Sequence, residues 1–187
     1  MPLPHYTQDP NSKASRQFEP VQGNLFEVTI LPPAGVGNGS LLLQQVNTVS
    51  GLDLYKEVGA VEQKYKFAKR SYAGMPDDTS VDVTIQFSLN LDESNSAYTY
   101  KTLRDWYNKQ YDPQTGIMGV KKDYVGTLVI VQYNRKGDVY RKVTLNDCFI
   151  TSGLPFTNEL NYETADAATL DVTWRSDYWV EEIVEGI

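Results

Sequence analysis

Cysteine and histidine are almost missing from this chain of 187 residues, with one of each. A single Cys excludes an intrachain disulfide and a four-cysteine zinc site. A single His excludes a histidine-rich metal centre and makes a Ser-His-Asp triad depend on His5 alone. No apolar run approaches the ~18–20 residues needed to cross a bilayer. The dense apolar stretches are short, as at Leu128 to Val131. The opening MPLPHYTQDP has no basic region followed by an apolar run, so no secretory leader is expected. No GxSxG, GxGxxG or P-loop spacing occurs. Cys148 falls in the strand-like run RKVTLNDCFI, where a buried structural thiol is the expected role of a free cysteine. Catalytic, cofactor and metal sites are therefore all expected to be absent, and the chain is expected to fold in a reducing cytoplasm.

Basic residues are scarce in one place. Residues 1–153 hold 16 basic and 16 acidic side chains, whereas 154–187 hold Arg175 alone against eight acids, so the net charge of -7 sits in that segment. A tight nucleic-acid binder carries a basic patch instead. The segment reads as a solvated acidic tail or as a surface that meets a basic partner.

What is present is a pattern of short strands. Residues 1–22 are proline-containing and poor in core formers, and read as an extended arm. Phe26, Val28 and Ile30 alternate with polar residues, a strand signal. After a Pro/Gly loop a second strand is expected from about Leu41 to Val49, broken at Val49-Ser50-Gly51 and continued over Leu52 to Val58. Gly59 then turns the chain, and Val61 to Phe67 returns as a hairpin arm, followed by a loop over 71–78. Val81, Val83, Ile85, Phe87, Leu89 and Leu91 alternate without error. A helix is predicted over about 96–111, with cap candidates in Asp92 to Ser96 and an aromatic stripe of Tyr100, Leu103, Tyr107 and Tyr111 beside Trp106. Asp112-Pro113 ends it. Val125 to Tyr133 and Val139 to Ile150 form a hairpin across NRKGD. A short strand is expected near Leu160 and Tyr162, and a last one over Thr169 to Arg175. The fold class is mainly β: two packed antiparallel sheets, as a sandwich or barrel, with one flanking α-helix. The domain spans 23–180, and 181–187 is an acidic tail.

Two stretches stand out as surfaces. YKFAKRSY places Lys64, Lys66, Lys69 and Arg70 among Tyr65, Phe67 and Tyr72, a mixture that suits nucleic-acid contact. Five acids between residues 52 and 78 cancel the five bases there, which suits a salt-bridged contact between subunits instead. The alternation puts Val61, Gln63, Tyr65 and Phe67 on one face of the arm. The polar face of the 80–90 strand is nearly uncharged: a surface facing a passing polyanion, or one packed on a neighbour or beneath the helix. A carbohydrate-binding sandwich using exposed Trp106, Trp174 or Trp179 is the alternative from another class.

Taken in order, an extended arm, NLFEVTI, VNTVSGLDLYKEV, LRDWYNKQY in a helix, the hairpin TLVIVQYNRKGDVYRKVTLNDCFITSGLP and the strand DVTWRSDYW resemble the tail tube protein of contractile-tailed bacteriophages. The resemblance covers about residues 20–180 and extends to the ring protein of type VI secretion and to inner tubes of extracellular injection systems. It implies hexameric rings stacked into a tube, a conduit for DNA ejection. It implies as partners further copies of the chain, tail sheath protein, a baseplate or tube initiator, a tail terminator, and tape measure protein and phage DNA in the lumen without sequence-specific binding. Stable membrane association is not implied. Its place would be the virion tail, assembled in the host bacterial cytoplasm. Lys64, Tyr65, Lys66, Phe67, Lys69 and Arg70 are then candidates for inter-subunit or ring-stacking contact. Thr84, Gln86, Ser88, Glu159 and Glu163 are candidates for the lumen.

Overall fold

The computed structural model describes residues 21–37, 39–76, 78–91, 98–155 and 167–184. The arm expected at 1–22, the caps at Asp92 to Ser96 and the short strand at Leu160 and Tyr162 fall outside these residues, apart from Val21 and Gln22. The described residues are mainly β. Seven strands form one hydrogen-bonded sheet in the order β1 (Phe26–Leu31), β6 (Gly126–Tyr133), β7 (Val139–Ile150), β8 (Thr169–Ser176), β5 (Val81–Ser88), β2 (Val46–Ser50). The seventh, β9 (Tyr178–Ile183), also pairs with β7. All these pairings are antiparallel. A separate hairpin of β3 (Ala60–Lys64) and β4 (Lys69–Ala73) makes a second, two-stranded sheet.

Period-two alternation does most of the work. In β5, Val81, Val83, Ile85 and Phe87 are fully buried while the residues between them are half-buried. Leu170, Val172 and Trp174 of β8 lie opposite Phe87, Ile85 and Val83. Val28 and Ile30 of β1, Leu128 and Ile130 of β6, and Val143 and Leu145 of β7 join the same core. Helix α2 (Tyr98–Gln110) closes it. Trp106 is fully buried, its ring centroid 6.0 Å from that of Trp174, and its indole N–H donates to Tyr124 O at 2.8 Å. Gly126 permits this approach, because a Cβ there would sit 2.6 Å from the Trp106 ring. At the end of α2, the Gln110 amide, oriented with its nitrogen toward the carbonyl, donates to Ile150 O at 2.9 Å and accepts from Ile150 N at 2.8 Å.

Several expectations change. The stretch after the Pro/Gly loop opens as a short helix, α1 (Gly39–Leu43), and the strand begins only at Val46. Three consecutive leucines lack alternation, and a short apolar run does not by itself separate helix from strand. Residues 51–59 form no strand, because Asp53 N bonds to Gly51 O and Leu54 N to Leu52 O. These tight local turns use backbone groups that a ladder would need. The hairpin therefore closes at 65–68, with Tyr65 N on Ala68 O, and its second strand occupies the first part of the expected 71–78 loop. The buried stripe of α2 is Thr99, Thr102, Leu103 and Trp106, with Tyr100 and Tyr107 only partly covered and Tyr111 exposed beyond the helix. A four-residue helix, α3 (Lys121–Tyr124), follows. Finally, Glu181 and Glu182 belong to β9 rather than to a solvated tail.

Strand β7 holds the two halves together. Residues 141–146 pair with β9 on one side, and 139–148 pair with β6 on the other. Phe149 and Ile150 then pair with β8. Between these two stretches Asp147 has φ 52, and the register against β6 slips, with Leu128 opposite Leu145 but Gly126 opposite Cys148. One extra residue in a strand is a β-bulge, which bends and twists it. The neighbouring corner, where β8 passes into β9, is held by buried Ser176. Its hydroxyl proton is shared between Asn146 O at 2.7 Å and Tyr178 O at 2.8 Å. A β-branched residue tolerates positive φ poorly. Asp147→Val is expected to cost about 1–3 kcal/mol, the usual cost of a side chain forced into that region, whereas Asp147→Gly is tolerated. Urea unfolding of the two variants measures the difference.

Candidate functional site

The six cationic and aromatic candidates gather on the β3–β4 hairpin. Every residue of its two strands is exposed, and neither strand pairs with the seven-stranded sheet. Val61, Gln63 and Tyr65 share one face with Arg70 and Tyr72, and Glu62 and Lys64 share the other with Lys69 and Ser71. Phe67 departs from the expected face: it lies in the connection, 92% exposed. The cations are organised by local contacts. Lys66 lies 5.4 Å from the Phe67 ring centre and Arg70 lies 5.8 Å from that of Tyr65. Lys69 pairs with Glu62, which offsets the like charge of Lys64 directly opposite it. Tyr65 donates from its hydroxyl to Gln63 Oε1 at 2.8 Å. Residues 60–73 thus offer four cations against one acid, with exposed aromatic rings between them.

The second surface is the outer face of β2, β5 and β8. Thr84, Gln86 and Ser88 stand together on it with Thr48, Ser50, Thr169, Asp171 and Thr173. Thr84 Oγ1 and Thr173 Oγ1 are 2.8 Å apart, and Ser88 Oγ donates to Asn47 Oδ1 at 2.9 Å. Its charges are matched at one end: Arg175 grips Asp82 with Nε at 2.8 Å and Nη2 at 2.7 Å. That bidentate contact lowers the Asp82 pKa and raises that of Arg175. Glu159 and Glu163 lie outside the described residues.

Three of the acids that the sequence grouped as one patch are individually paired. Asp177 meets Lys121, Glu182 meets Lys142 at 3.2 Å, and Glu181 receives Arg141 Nε at 2.6 Å. The side chain of Glu181 is 8% exposed and also accepts from the Tyr55 hydroxyl at 2.5 Å. Tyr55 sets its ring edge against Trp179, with centroids 5.0 Å apart. Sequence reasoning missed this contact and β9 with it. The signal was the alternation of Trp179, Glu181 and Ile183 with Tyr178, Val180 and Glu182, masked by the acids. Two of the three tryptophans assigned to a glycan surface, Trp106 and Trp174, are fully buried, so that expectation is corrected. Cys148 is buried, and burial pushes its thiol up to about 12, far from a reactive thiolate.

The carboxyl of Glu181 titrates below its ordinary value, first because Tyr55 donates to it and further because Arg141 does. A depressed carboxylate stabilises the fold fully above its unfolded-state pKa and loses that contribution as pH falls through the folded one. The thermal midpoint is expected to fall on acidification from neutral pH. Glu181→Gln should start lower at neutral pH and show a shallower acid slope; an unchanged slope would exclude this linkage.

No known protein-family profile matches the sequence, and no curated protein matches it. Solved structures do match. A chain of an extracellular contractile injection system, from a PVC sheath-tube complex in the extended state, aligns with TM-score 0.62 at 18% identity, over 93% of this chain and 99% of that one. The tube-terminating cap of the anti-feeding prophage aligns with TM-score 0.60 at 15% identity, over 89% and 93%. The PVC sheath/tube terminator aligns with TM-score 0.56 at 17% identity, over 88% and 98%. Over 88–93% of its length, then, this chain has the fold of tube and tube-capping proteins of contractile injection systems.

Proposed function

We propose that the protein is a structural protomer of a contractile-tail tube, built from six-membered rings that stack, and that it works by assembly rather than catalysis. The observation that carries this reading is the exposed β3–β4 hairpin. A lone two-stranded hairpin is marginal in water and gains stability from a further surface. Its exposed rings and four cations suit a neighbouring copy, where the same heterologous contact repeated around an axis closes a ring or continues as a stack. The shared fold with tube and cap proteins supports the same conclusion. Sheath, baseplate and terminator components are the partners this role requires.

The lumen is assigned to the polar face around Thr84, Gln86 and Ser88, with Glu159 and Glu163 as further contributors. Hydroxyls and amides bonded to one another offer no fixed cation to trap a phosphate. In a phage tail the cargo passing this face is DNA. A second reading, the tube of an extracellular injection system, is favoured by the source of the matched structures, which are such particles. Extracting nucleic acid from purified particles separates the two.

Negative-stain microscopy of the purified protein, or of native particles, should show rings or tubes. The double change Tyr65→Ser with Phe67→Ser should leave a folded protomer that no longer forms them, because both side chains are exposed and outside the core. Normal tubes from that variant would exclude the hairpin as the contact. The double change Gln86→Lys with Ser88→Lys should keep rings intact yet retard a polyanion in the channel, more strongly at low salt. Ejection or translocation rates compared at two salt concentrations test this, and a salt-independent rate equal to that of the parent would remove the face from the lumen.

A further inference from the structure

The β3–β4 hairpin joins the body through two connections whose described residues, 51–59, 74–76 and 78–80, belong to no strand. Across its base Gly74 N donates to Gly59 O at 2.7 Å. A Cβ on Gly74 would lie 2.8 Å from that carbonyl, while one on Gly59 would meet nothing within 4 Å. The hairpin therefore ends on a facing pair of glycines, the residues with the widest backbone freedom.

Beyond the glycines each connection has a surface pin among its described residues. On the β5 side the pin is local: the Asp78 carboxylate accepts from Ser80 N at 2.8 Å and from Ser80 Oγ at 2.7 Å. On the β2 side it reaches across the fold. Tyr55 binds Glu181 and Trp179 of β9, residues 126 and 124 positions further along the chain. Leu54 beside it is 5% exposed and anchors the connection in the core, whereas Tyr55 is 75% exposed and lies on the surface. Its release would break one hydrogen bond and one ring contact without opening the core. Glu181 would keep Arg141, so no carboxylate would be left unpaired.

We infer that Tyr55 is a releasable clasp on β9 that fixes the direction in which the β3–β4 hairpin leaves the body, with Gly59 and Gly74 as the pivot. Closed, the clasp holds the hairpin in one orientation. Open, it lets the hairpin turn about its base as a unit, because the ladder between β3 and β4 is complete without the body. The inference concerns the single protomer and stands independently of the tube reading.

Pulsed dipolar spectroscopy on the full chain tests it. Spin labels are placed by Ala68→Cys at the hairpin tip and Lys136→Cys in the β6–β7 turn, and the sample is diluted with unlabelled protein so that only pairs within one protomer are read. Cys148 is buried and stays unlabelled. The parent should give one narrow distance distribution. Tyr55→Ala should lose that narrow peak, and Tyr55→Phe, which keeps the ring on Trp179, should lose it in part. Near-UV circular dichroism of buried Trp106 and Trp174 confirms that the core is intact. Glu181→Gln reports on the same hydrogen bond from the other side if Tyr55→Ala fails to fold. A narrow peak unchanged in these variants, or a broad distribution already in the parent, overturns the clasp.

Discussion

One strand has to serve two sets of neighbours. Strand β7 lies between β6 and β9 along most of its length and then hands over to β8. A flat ladder would not do this, since a sheet without a bend leaves its two halves side by side with no enclosed core. The left-handed backbone at Asp147 introduces the bend, and Ser176 ties the returning corner to it. Because of that bend the inward residues of β1 and β6 meet those of β5 and β8. Trp174 and Trp106 then fill the space between them, each worth roughly 1.5–3 kcal/mol of burial. The position of the hairpin is downstream of the same geometry, since the strand that receives Tyr55 exists only because β8 turns back beside β7.

Charge is handled locally throughout. The chain carries a net charge of -7, yet Asp82 of β5 is met by Arg175 of β8, Asp177 by Lys121 of α3, and Glu181 and Glu182 of β9 by Arg141 and Lys142 of β7. Exposed pairs of this kind contribute little stability each. Their larger effect is to keep the outer sheet faces close to neutral while the hairpin keeps an excess of cations. A surface that is neutral over its sheets and cationic at one projection has an orientation in an electric field, and encounters between copies are biased accordingly.

Long alternating runs were legible in the sequence. The β5 pattern, the β6–β7 hairpin across Asn134 to Asp138 and the existence of α2 all follow from period and turn chemistry, because tertiary context agrees with local preference there. What was not legible depends on distant partners. The three leucines at 41–43 fit helix or strand, and only the neighbouring β1 decides. Residues 52–58 look like a strand until their backbone bonds turn inward. The run DYWVEEI alternates correctly, but two adjacent glutamates read as solvated until Lys142 is placed opposite Glu182 and Arg141 reaches Glu181 on the diagonal. On the candidate surfaces, sequence identified the hairpin residues and the polar strand face, but not that Phe67 sits at a turn or that Tyr55 reaches β9.

The handover in β7 also has a consequence for the order of events during synthesis. Strand β5 is made early, but the strand that covers its inner edge comes about ninety residues later; Asp82 and its partner Arg175 are 93 positions apart. Until β8 and β9 emerge, β5 and β7 each present an open ladder to the surroundings. Such gaps in sequence slow folding, since the loop must close before its contacts are gained. The β3–β4 hairpin, by contrast, needs only its own fourteen residues and can form at once. The projecting element is thus ready before the body is sealed, and a nascent chain at high local concentration, with neighbours being made on the same message, is most exposed to wrong pairing in that interval.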